Sequence, residues 1–384
     1  MKKLIYLFLT LTFFISCDKK PAAISSIEIK NNLDLDREFE TVEVDISTFN
    51  LDKNSSFVIL DSNTKEEIIS QVVDTDLDGK NDIIIFQPKI KANSTKNYTL
   101  TSTETKKDAV PVYCYSRFVP ERTDDYTWEN NRVAFRTYGP VAQQMVEDSI
   151  PGGTLSSGID AWLKRVEYPI INKWYKKNTL DIGAYHIDSG EGLDNFHVGS
   201  SRGVGGTAVK IDTSFYFSKN FTSYKTITTG AVRTSFVLTY PKWDANGKVI
   251  SETKYISLDY GQNLSRYEID VKGTEKIAVG LTLHKKDGKT SSSNNWINYW
   301  EPFDDSELGQ GVVAEDAYFI DSEKYLTSKV DQSNFYANLN VVNGKVIYYA
   351  GFGWKKSNQF NTQKEWESYL EDFSKKINTP LEIL

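Results

Sequence analysis

The strongest constraint on the fold is a series of short, aromatic-rich apolar segments in the second half of the chain, separated by loops rich in Gly and Asp. Segments of this length at this spacing are typical of successive strands in an antiparallel sandwich. The pattern predicts strands at residues 217–225, 231–240, 250–260, 266–271, 277–284 and 346–352. We therefore expect an all-β protein with a large antiparallel β-sandwich over residues 109–384.

A smaller β-sandwich domain is predicted ahead of this region, over residues 26–108, with a junction at residues 106–108. Two of its segments alternate polar and apolar side chains, and two are short apolar runs between turn-forming residues. These segments are residues 26–30, 41–46, 57–60 and 83–86.

The acidic segment at residues 74–82 resembles the start of a calcium-binding loop. Ile85 stands where an EF-hand loop has its closing Glu, so the ligand set is incomplete. A tight hairpin turn at Asp78 and Gly79 explains the same composition. We favour the turn and expect no metal here.

Only two stretches have helical periodicity. Residues 141–147 predict a short helix that follows Gly139 and Pro140. At residues 362–376, Thr362 and Glu365 form a capping-box pair at the start of a second helix. Its apolar side chains recur at helical spacing and predict a stripe that packs on the large sandwich. They are Trp366, Tyr369, Leu370 and Phe373.

The N-terminus has the features of an export signal. Its apolar run at residues 4–15 is shorter than the roughly 20 residues that a membrane-spanning helix needs. Residues 14–17 resemble a bacterial lipobox, in which Cys17 is lipidated. We expect a lipoprotein signal peptide at residues 1–17, a tether at 18–25 and a periplasm-facing anchor. Cell-surface display and an ordinary secretory signal are the alternatives.

Cysteine content and charge narrow the function classes. With Cys17 lipidated, Cys114 is alone and no intrachain disulfide can form. The formal net charge of -7 provides no basic footprint for nucleic acid. The 22 Tyr and 8 Trp residues suit both stacking on sugar rings and the core of a β-sandwich, so composition does not choose between these roles.

The segment densest in chemically active side chains is residues 185–206. It contains His186 and His197, which are two of the chain's three histidines, together with three carboxylates, Arg202 and six glycines. Titratable groups among residues that allow sharp backbone turns are typical of a site. The alternative is a Gly-rich connection whose Asp, Asn and Ser serve as turn formers. Three further segments are also rich in polar and aromatic residues, at 122–140, 157–169 and 295–302.

Common catalytic and cofactor motifs are absent from the sequence. It contains no Walker-type phosphate loop and no H-E-x-x-H pair, and residues 199–203, Gly-Ser-Ser-Arg-Gly, resemble a nucleophile elbow only superficially. The acidic and histidine side chains of residues 186–197 fit no standard zinc spacing. We expect neither a cofactor nor a catalytic metal.

Four motifs resemble the family called domain of unknown function 4861, found in exported proteins of polysaccharide-degrading Bacteroidetes. They lie at residues 124–130, 135–140, 162–165 and 185–192, and the resemblance covers nearly the whole mature chain. The resemblance implies dehydration of a uronyl residue at the non-reducing end of an oligosaccharide, which gives a 4,5-unsaturated uronyl sugar. Ulvan oligosaccharides are the implied substrate class.

Elimination of water across C4 and C5 of a uronate makes three demands. A cation must neutralise the carboxylate, a base must remove the C5 proton, and an acid must protonate the departing C4 hydroxyl. Arginine suits the first task because its planar fork pairs with a carboxylate, and the candidates are Arg202, Arg165 and Arg233. His186 is the first candidate for base or acid, and His197 is the second.

Several other side chains are candidates for the same tasks. Lys164 suits a base or a second carboxylate clamp, and Tyr185 and Tyr299 suit a phenolic acid. The expected catalytic residues are His186, Arg202, Lys164, His197 and Tyr299. The expected substrate-binding residues are Arg165, Trp162, Tyr185, Glu191, Asp194 and Trp300. Each of them has a structural alternative in the core or in an ion pair, and the sequence does not choose among them.

We therefore expect an oligosaccharide dehydratase with a cleft on one face of the large sandwich. The supersandwich of mutarotase-like domains is one form that this sandwich can take. Its expected partner is a uronate-containing oligosaccharide, with membrane contact only through the N-terminal lipid. An endo-acting polysaccharide lyase and a non-catalytic glycan-binding lipoprotein are the alternatives.

Overall fold

The computed structural model describes residues 24–49, 56–103 and 111–384. Cys17, the predicted signal peptide, most of the predicted tether and the predicted junction at residues 106–108 lie outside the described residues. Within the described ranges, no helix combines the length and apolar character that a bilayer span requires.

The N-terminal region forms a small β-sandwich of two antiparallel sheets. Its strands are β1 (Ile24–Lys30), β2 (Val42–Asp45), β3 (Ser56–Asp61), β4 (Glu67–Ile68), β5 (Ser70–Val73), β6 (Ile83–Phe86) and β7 (Thr95–Thr103). One sheet has the order β1-β7-β3-β4 and the other β2-β6-β5. Alternate side chains fill the space between the sheets, among them Ile29, Ile84, Phe86 and Tyr98. The four strands predicted here are confirmed.

Residues 74–82 form the loop that joins β5 to β6, so the connection is longer than the tight hairpin turn predicted at Asp78 and Gly79. The Asp74 carboxylate accepts hydrogen bonds from the N–H groups of Leu77 and Gly79, both at 2.7 Å. Gly79 has φ +90°, a conformation that favours glycine. The carboxylates of Asp74, Asp76 and Asp78 lie within 4.8 Å of one another on the surface. Turn hydrogen bonds account for this cluster.

The large domain is built from nineteen further described strands in three antiparallel sheets. They are β8 (Tyr115–Val119), β9 (Asp125–Glu129), β10 (Ala134–Thr137), β11 (Asp160–Lys164), β12 (Gly192–Leu193), β13 (Val204–Ile211), β14 (Ser214–Tyr216), β15 (Ser223–Thr228), β16 (Arg233–Thr239), β17 (Trp243–Ala245), β18 (Lys248–Asp259), β19 (Leu264–Lys272), β20 (Lys276–Thr282), β21 (Lys289–Ser292), β22 (Trp296–Phe303), β23 (Ser306–Val313), β24 (Phe319–Tyr325), β25 (Asn334–Asn340) and β26 (Lys345–Trp354). The sheet orders are β12-β11-β10-β9-β8, then β14-β13-β20-β25-β24, then β15-β16-β18-β19-β26-β23-β22-β21, with β17 beside β18.

One apolar core joins these three sheets. Trp128 of β9, Leu281 of β20 and Tyr348 of β26 belong to the same buried cluster. Tyr348 stacks on Tyr267 of β19 with ring centroids 4.9 Å apart. Full burial of one such large apolar side chain stabilises the fold by about 1.5–3 kcal/mol. The predicted all-β sandwich is confirmed.

Three helices accompany the described sheets: α1 (Pro140–Glu147), α2 (Ile171–Leu180) and α3 (Gln363–Asn378). The predictions of α1 and α3 are confirmed. The Thr362 side chain accepts a hydrogen bond from the Glu365 N–H at 3.2 Å, as the capping box requires. Trp366 and Leu370 are fully buried in a cluster with Trp300 of β22. The predicted apolar stripe of α3 therefore packs on the large sandwich.

The prediction of only two helices was wrong, because α2 was missed. Helix α2 has no side-chain cap of its own. Instead, the Glu129 carboxylate of β9 accepts hydrogen bonds from the N–H groups of Ile170 and Ile171, at 2.9 Å each. A cap supplied by a distant strand leaves no local sequence pattern.

The strand predicted at residues 217–225 was also wrong in its first half, since β15 begins at Ser223. The preceding residues are held by other contacts. The Phe217 ring lies 3.8 Å from the Arg202 guanidinium, and the Asn220 side chain donates to the carbonyl oxygens of Gly139 and Thr154. These contacts anchor the segment to the α1 region instead of to a sheet.

The chain returns to the small sandwich at its C-terminus. Strand β27 (Glu382–Ile383) pairs with β1, with Ile29 opposite Ile383. Just before it, the buried Arg37 side chain donates to the carbonyl oxygens of Thr379 at 2.6 Å and Lys376 at 3.2 Å. The end of α3 is therefore fastened to the small domain.

Candidate active site

Two neighbouring cavities lie beside the segment at residues 194–200. The first has a volume of about 530 Å³ and is lined by Arg136, Tyr138, His186 and Asp194, among others. The second has a volume of about 410 Å³ and is lined by His284, Glu301 and three lysines, among others. Both volumes fall in the range of roughly 300–1,000 Å³ that is usual for small-ligand sites.

The two cavities are adjacent, since Asn195 and His197 line both of them. All three histidines of the chain line one or the other. We call the pair of cavities the histidine cleft. A larger cavity of about 970 Å³ lies between the small domain and α3. Charged side chains on its walls pair with one another, as Arg233 does with Asp259 at 2.6 Å.

His186 is held in a defined orientation at the first cavity. Its ring Nδ1 lies in hydrogen-bond contact with the carbonyl oxygen of Asp194. The Asp194 N–H donates to the Tyr185 carbonyl at 2.9 Å. This bond holds the Asp194 backbone, whose own carbonyl oxygen is the acceptor for His186. Because Nδ1 donates its proton to a carbonyl, the neutral ring presents Nε2 as a lone-pair acceptor. The side chain is 53% exposed, so this nitrogen is accessible to a ligand.

A buried charge cluster forms the floor of the first cavity. Arg136 of β10 donates from Nε to Asp160 at 2.8 Å, and its Nη2 lies 2.9 Å from the Asp194 carboxylate. Asp125 is a third carboxylate, 3.9 Å from Nη1. Four buried polar atoms of this floor have no hydrogen-bond partner among the described residues. They are Arg136 Nη1, Asp125 Oδ1, Asp160 Oδ1 and Trp162 Nε1.

The carboxylates of this floor bind protons more tightly than usual. Burial raises the pKa of Asp160 to about 7 and that of Asp125 to about 6, against the opposing charge of Arg136. Burial likewise raises the pKa of Asp194, with Arg136 again opposing. Arg136 and the nearby Arg122 lower the pKa values of Asp125 and Asp194 but do not cancel the effect of burial. The floor therefore retains a proton near neutral pH, which most surface carboxylates do not.

Tyr138 connects this floor to the cavity. Its hydroxyl donates to Asp160 Oδ2 at 3.4 Å, and its ring lies 5.4 Å from the Arg136 guanidinium. Burial and the neighbouring Asp160 charge hold the pKa of Tyr138 well above its usual range. The phenol of Tyr138 therefore retains its proton on the cavity wall.

The second cavity contains two histidine–carboxylate pairs. His284 Nδ1 lies 2.7 Å from the buried Glu301 carboxylate, and its Nε2 lies 3.0 Å from the His197 carbonyl oxygen. His197 Nε2 lies 3.1 Å from Asp331. Gly199 permits this approach, since its φ is +51° and a Cβ there would lie 1.9 Å from Asp331 Oδ2. His284 is only 12% exposed, and its Nε2 contacts the backbone of His197. It therefore supports the His197 segment from the interior side.

Comparison with known proteins identifies the family. The sequence model of the domain of unknown function DUF4861 matches residues 29–383 of the 384-residue chain. The chain belongs to the DUF4861 family. A relative from Formosa agariphila, named Uncharacterized protein P7, is 58% identical over 388 residues. The match covers 99% of this chain and 98% of that relative. The resemblance seen in the four sequence motifs is therefore confirmed.

Solved structures show what the DUF4861 fold is similar to. A protein in the glycosyl hydrolase family 38 from Enterococcus faecalis aligns with 95% of this chain at a TM-score of 0.51 and 11% identity. An alpha-mannosidase from the same species aligns with 95% of the chain at a TM-score of 0.46 and 10% identity. The chain spans about half the length of these structures, 47% and 46%. The first likeness supports the sandwich fold.

Of the residues expected from sequence, His186, Asp194 and His197 line the cleft of this DUF4861 protein. Lys164 does not, since it is fully buried and donates to Glu129 at 2.7 Å and to the carbonyls of Asn130 and Tyr168. All three of its N–H bonds are used beneath α2. Lys164 is therefore placed as the counter-ion of the carboxylate that caps this helix.

Arg202 and Tyr299 are also placed in the interior. Arg202 donates to Ser157 Oγ at 2.9 Å and to the Ser200 carbonyl at 3.2 Å, and burial lowers its pKa to about 10. Through Ser200 it supports one wall of the first cavity without lining it. Tyr299 is fully buried, and its hydroxyl accepts a hydrogen bond from the Gly288 N–H at 3.1 Å.

The other expected binding residues do not line either cavity. Trp162 is buried between Trp174 and Tyr185, with centroid distances of 5.4 Å to each. Trp300 is buried against α3. Glu191 accepts hydrogen bonds from Lys173 and Trp174, and Arg165 pairs with Asp188 at 2.7 Å. These contacts stabilise the cleft walls and leave few free polar atoms for a ligand.

Four cleft residues were not singled out from the sequence: Arg136, Tyr138, His284 and Glu301. Arg136 and Tyr138 belong to the segment at residues 122–140, and Glu301 belongs to that at 295–302. Both segments were noted as rich in polar and aromatic residues, but these three side chains were given no role. His284 and Glu301 come from the ends of different strands, so nothing in their local sequence associates them. For His284, the available indication was that it is the chain's third histidine.

Proposed function

We propose that this protein is a carbohydrate-active lyase, an oligosaccharide dehydratase that removes water across C4 and C5 of a non-reducing-end uronate. The observation that carries the proposal is the orientation of His186, whose Nδ1 is held by the Asp194 carbonyl while Nε2 is left accessible at a cavity. A carbohydrate substrate agrees with the fold, which is similar to that of a protein in the glycosyl hydrolase family 38. Ulvan-type oligosaccharides are the substrate class implied by the family resemblance.

In the proposed reaction, His186 Nε2 accepts the C5 proton. The electron pair of the C5–H bond forms the C4–C5 double bond, and the C4–O bond breaks. The departing hydroxyl takes a proton and leaves as water. The step is redox-neutral and needs no electron acceptor. A positioned base of this kind contributes about 10²–10⁴ to the rate.

We assign proton donation to Tyr138 backed by Asp160. The phenol lines the first cavity and lies 3.4 Å from Asp160, whose pKa is raised to about 7 by burial. A proton given by Tyr138 to the leaving hydroxyl is replaced from the floor below. The raised pKa of both groups keeps the proton in place before the reaction.

Arg136 is the cation for the uronate carboxylate. It lines the first cavity, and its buried Nη1, 3.9 Å from Asp125, has no hydrogen-bond partner among the residues that the structure describes. A guanidinium at the cavity wall suits a carboxylate and lowers the barrier to removing the neighbouring C5 proton. The proton retained by Asp160 leaves part of its charge available.

The test uses defined oligosaccharides with a uronate at the non-reducing end. Absorbance of the conjugated unsaturated uronate and mass spectrometry are followed in the same samples. We expect absorbance to rise with the loss of one water and an unchanged number of sugars. Shorter products would instead show a polysaccharide lyase. Binding without any change in ulvan, pectin or glucuronoxylan fragments would show a glycan-binding protein.

We also propose that the protein is an exported lipoprotein anchored through Cys17 and facing the periplasm. The lipobox-like residues 14–17 support this proposal. A Cys17→Ser variant should lose the lipid mass from its N-terminal peptide and move from the membrane to the soluble fraction. If wild-type protein is cleaved elsewhere and carries no lipid, an ordinary secretory signal replaces the proposal.

A further inference from the structure

The backbone that leads into β9 is held in an unfavourable conformation. Thr123 and Asp124 have φ values of +48° and +62°. Within the described ranges they are the only two adjacent non-glycine residues in this left-handed region, and Thr123 is the only β-branched residue there. Side-chain sterics disfavour this conformation, most of all for β-branched residues. Strain of this kind persists only where surrounding contacts enforce it, and it is concentrated at functional sites.

Two contacts hold this turn against the start of α1. The Thr123 carbonyl accepts a hydrogen bond from the Ala142 N–H at 3.1 Å. The Asp124 carbonyl oxygen packs so closely on Gly139 that a Cβ at that glycine would lie 1.9 Å from it. Gly139 directly follows Tyr138, the proposed proton donor on the wall of the first cavity. The strained turn is therefore fixed beside one of the two reacting groups.

The residue before this turn, Arg122, is connected to the proposed base His186 through Tyr185. Its Nη1 donates to the Thr123 hydroxyl at 2.8 Å, and its Nε donates to the Tyr185 hydroxyl at 3.2 Å. Arg122 forms no ion pair with a carboxylate in the part of the chain that the structure describes. These two hydrogen bonds therefore orient the guanidinium between the strained turn and the Tyr185 ring.

Tyr185 contacts both the ring of His186 and the backbone that orients this ring. The two ring centroids lie 4.5 Å apart, and the ring planes meet at 74°. The Tyr185 carbonyl accepts from the Asp194 N–H at 2.9 Å, and the Asp194 carbonyl in turn holds His186 Nδ1. Tyr185 is only 4% exposed, and its ring packs on Trp162 with centroids 5.4 Å apart. A shift of the Tyr185 ring would therefore move the imidazole.

We propose that Arg122 is a positioning residue for His186, which acts through the Tyr185 hydroxyl and holds the imidazole in a fixed position relative to Tyr138. The inference rests on the proposed function, which gives His186 and Tyr138 their roles as base and acid. In an elimination the base and the acid act at adjacent carbon atoms of one substrate, so their separation must suit that substrate. A misplacement of about 1 Å can lower a rate by a factor of about 10².

The test is a double-mutant cycle in the full-length protein, with dehydration followed by ultraviolet absorbance. Arg122→Met removes the donors and keeps an unbranched side chain, and Tyr185→Phe removes the hydroxyl and keeps the ring. We expect each single variant to lower kcat about tenfold while KM changes less than about twofold, because the groups that contact substrate remain. The double variant should be no slower than the slower single variant, since either change removes the same hydrogen bond.

Two further variants distinguish positioning from a general structural effect. Arg122→Lys keeps a cationic donor and should recover part of the lost kcat. Arg132→Met is the matched control, because Arg132 also lacks an ion pair among the described residues and donates from Nε to the Asn263 side chain at 2.6 Å. Arg132 lines the larger cavity between the small domain and α3 and does not line the histidine cleft. The kcat of Arg132→Met should stay near the wild-type value.

Nitrogen NMR of the imidazole gives a second readout that does not depend on turnover. The chain has three histidines, and the His186 signals are identified by their loss in His186→Ala. In wild type we expect the neutral ring to carry its proton on Nδ1, as the contact with the Asp194 carbonyl requires. Arg122→Met and Tyr185→Phe should both move the signals towards a mixture of the two tautomers. Arg132→Met should leave the signals unchanged.

Multiplicative losses of kcat in the double variant, or unchanged His186 signals in Arg122→Met, overturn the positioning role. If Arg122→Met does not fold, Tyr185→Phe decides the question, since loss of one hydroxyl leaves the aromatic packing in place. Unchanged His186 signals in Tyr185→Phe then overturn the positioning role. If wild-type protein dehydrates none of the oligosaccharides while the tautomer change is present, the proposed function fails and the positioning of His186 stands.

Discussion

At the scale of single residues, the side chain with the greatest expected effect on turnover is His186. Its replacement by Ala removes the proposed base and should lower kcat by a factor of about 10² or more. The folded state should persist, since the ring is 53% exposed and outside the apolar core. Initial rates from ultraviolet absorbance and the melting temperature are measured on the same preparation.

Ile187→Ala is the matched control for this variant. Ile187 is the next residue, is 66% exposed and does not line the cleft, so kcat should stay near the wild-type value. A His186→Ala protein that is active, or one that no longer folds, would remove the catalytic assignment.

Asp160 gives a prediction about pH and stability. Burial raises its pKa to about 7 in the folded protein, against an ordinary value of 3.8. Between these values the folded state holds a proton that the unfolded state has lost. The stabilising contribution is therefore complete below about pH 4 and is lost as the pH rises towards 7, at about 1.4 kcal/mol for each unit of pKa shift.

Asp160→Asn cannot ionise and should not show this loss. We expect the melting temperature of wild type minus that of Asp160→Asn to decrease as the pH rises from 5 to 8, and then to level off. Subtraction removes most of the contribution of other groups, although Asp194 and Asp125 share the floor. A difference that stays constant or grows with pH would contradict the protonated floor.

At the scale of secondary structure elements, Glu129 connects a strand, a helix and a buried cation. Its carboxylate caps α2 and pairs with Lys164 at 2.7 Å, and both side chains are fully buried. Glu129→Gln leaves the Lys164 ammonium without its counter-charge. Removing one partner of a buried pair costs about 3–5 kcal/mol, so urea unfolding should shift to clearly lower concentrations.

Thr362→Ala is the comparison at an exposed helix start. It removes one hydrogen bond at the beginning of α3 and should cost about 1 kcal/mol. If Glu129→Gln proves no more destabilising than this variant, the buried pair does not hold α2 in place.

The same two helices show how far the sequence could predict this protein. Helix α3 was predicted because its cap and its apolar stripe are local. Helix α2 has a stripe at Ile171, Trp174 and Tyr175, but its cap comes from a residue 41 positions earlier. Local reasoning therefore finds elements whose ends are determined nearby and misses those whose ends depend on tertiary contacts.

The candidate site follows the same rule. Residues 185–206 stood out because active side chains are concentrated there, and this segment does supply His186, Asp194 and His197 to the cleft. Lys164 and Arg202 have suitable chemistry, but their burial depends on how sheets pack, which residue type does not reveal. Arg136 and His284 reach the cleft from strands that are distant in sequence, so only the fold associates them with it.

At the scale of the whole molecule, the small sandwich and α3 are joined by Arg37. This side chain is fully buried, pairs with Glu40, and donates to carbonyl groups of Lys376 and Thr379 at the end of α3. Cationic donors at a helix C-terminus satisfy carbonyls that have no partner within the helix. The contact also positions β27, which follows directly and completes the sheet of the small domain.

Arg37→Ala should therefore weaken the connection as well as the small domain. It leaves Glu40 and two carbonyl groups with fewer partners, and we expect a loss of about 3 kcal/mol or more in the free energy of unfolding. Hydrogen exchange should increase in β27 and in β1 opposite it, while the large core around Tyr348 stays protected. Lys91→Ala is the control, because its pair with Asp36 is exposed and should contribute little to stability. If hydrogen exchange in β27 does not change, the pairing of β27 with β1 alone holds the C-terminus on the small domain. Arg37 then has no part in joining the domains.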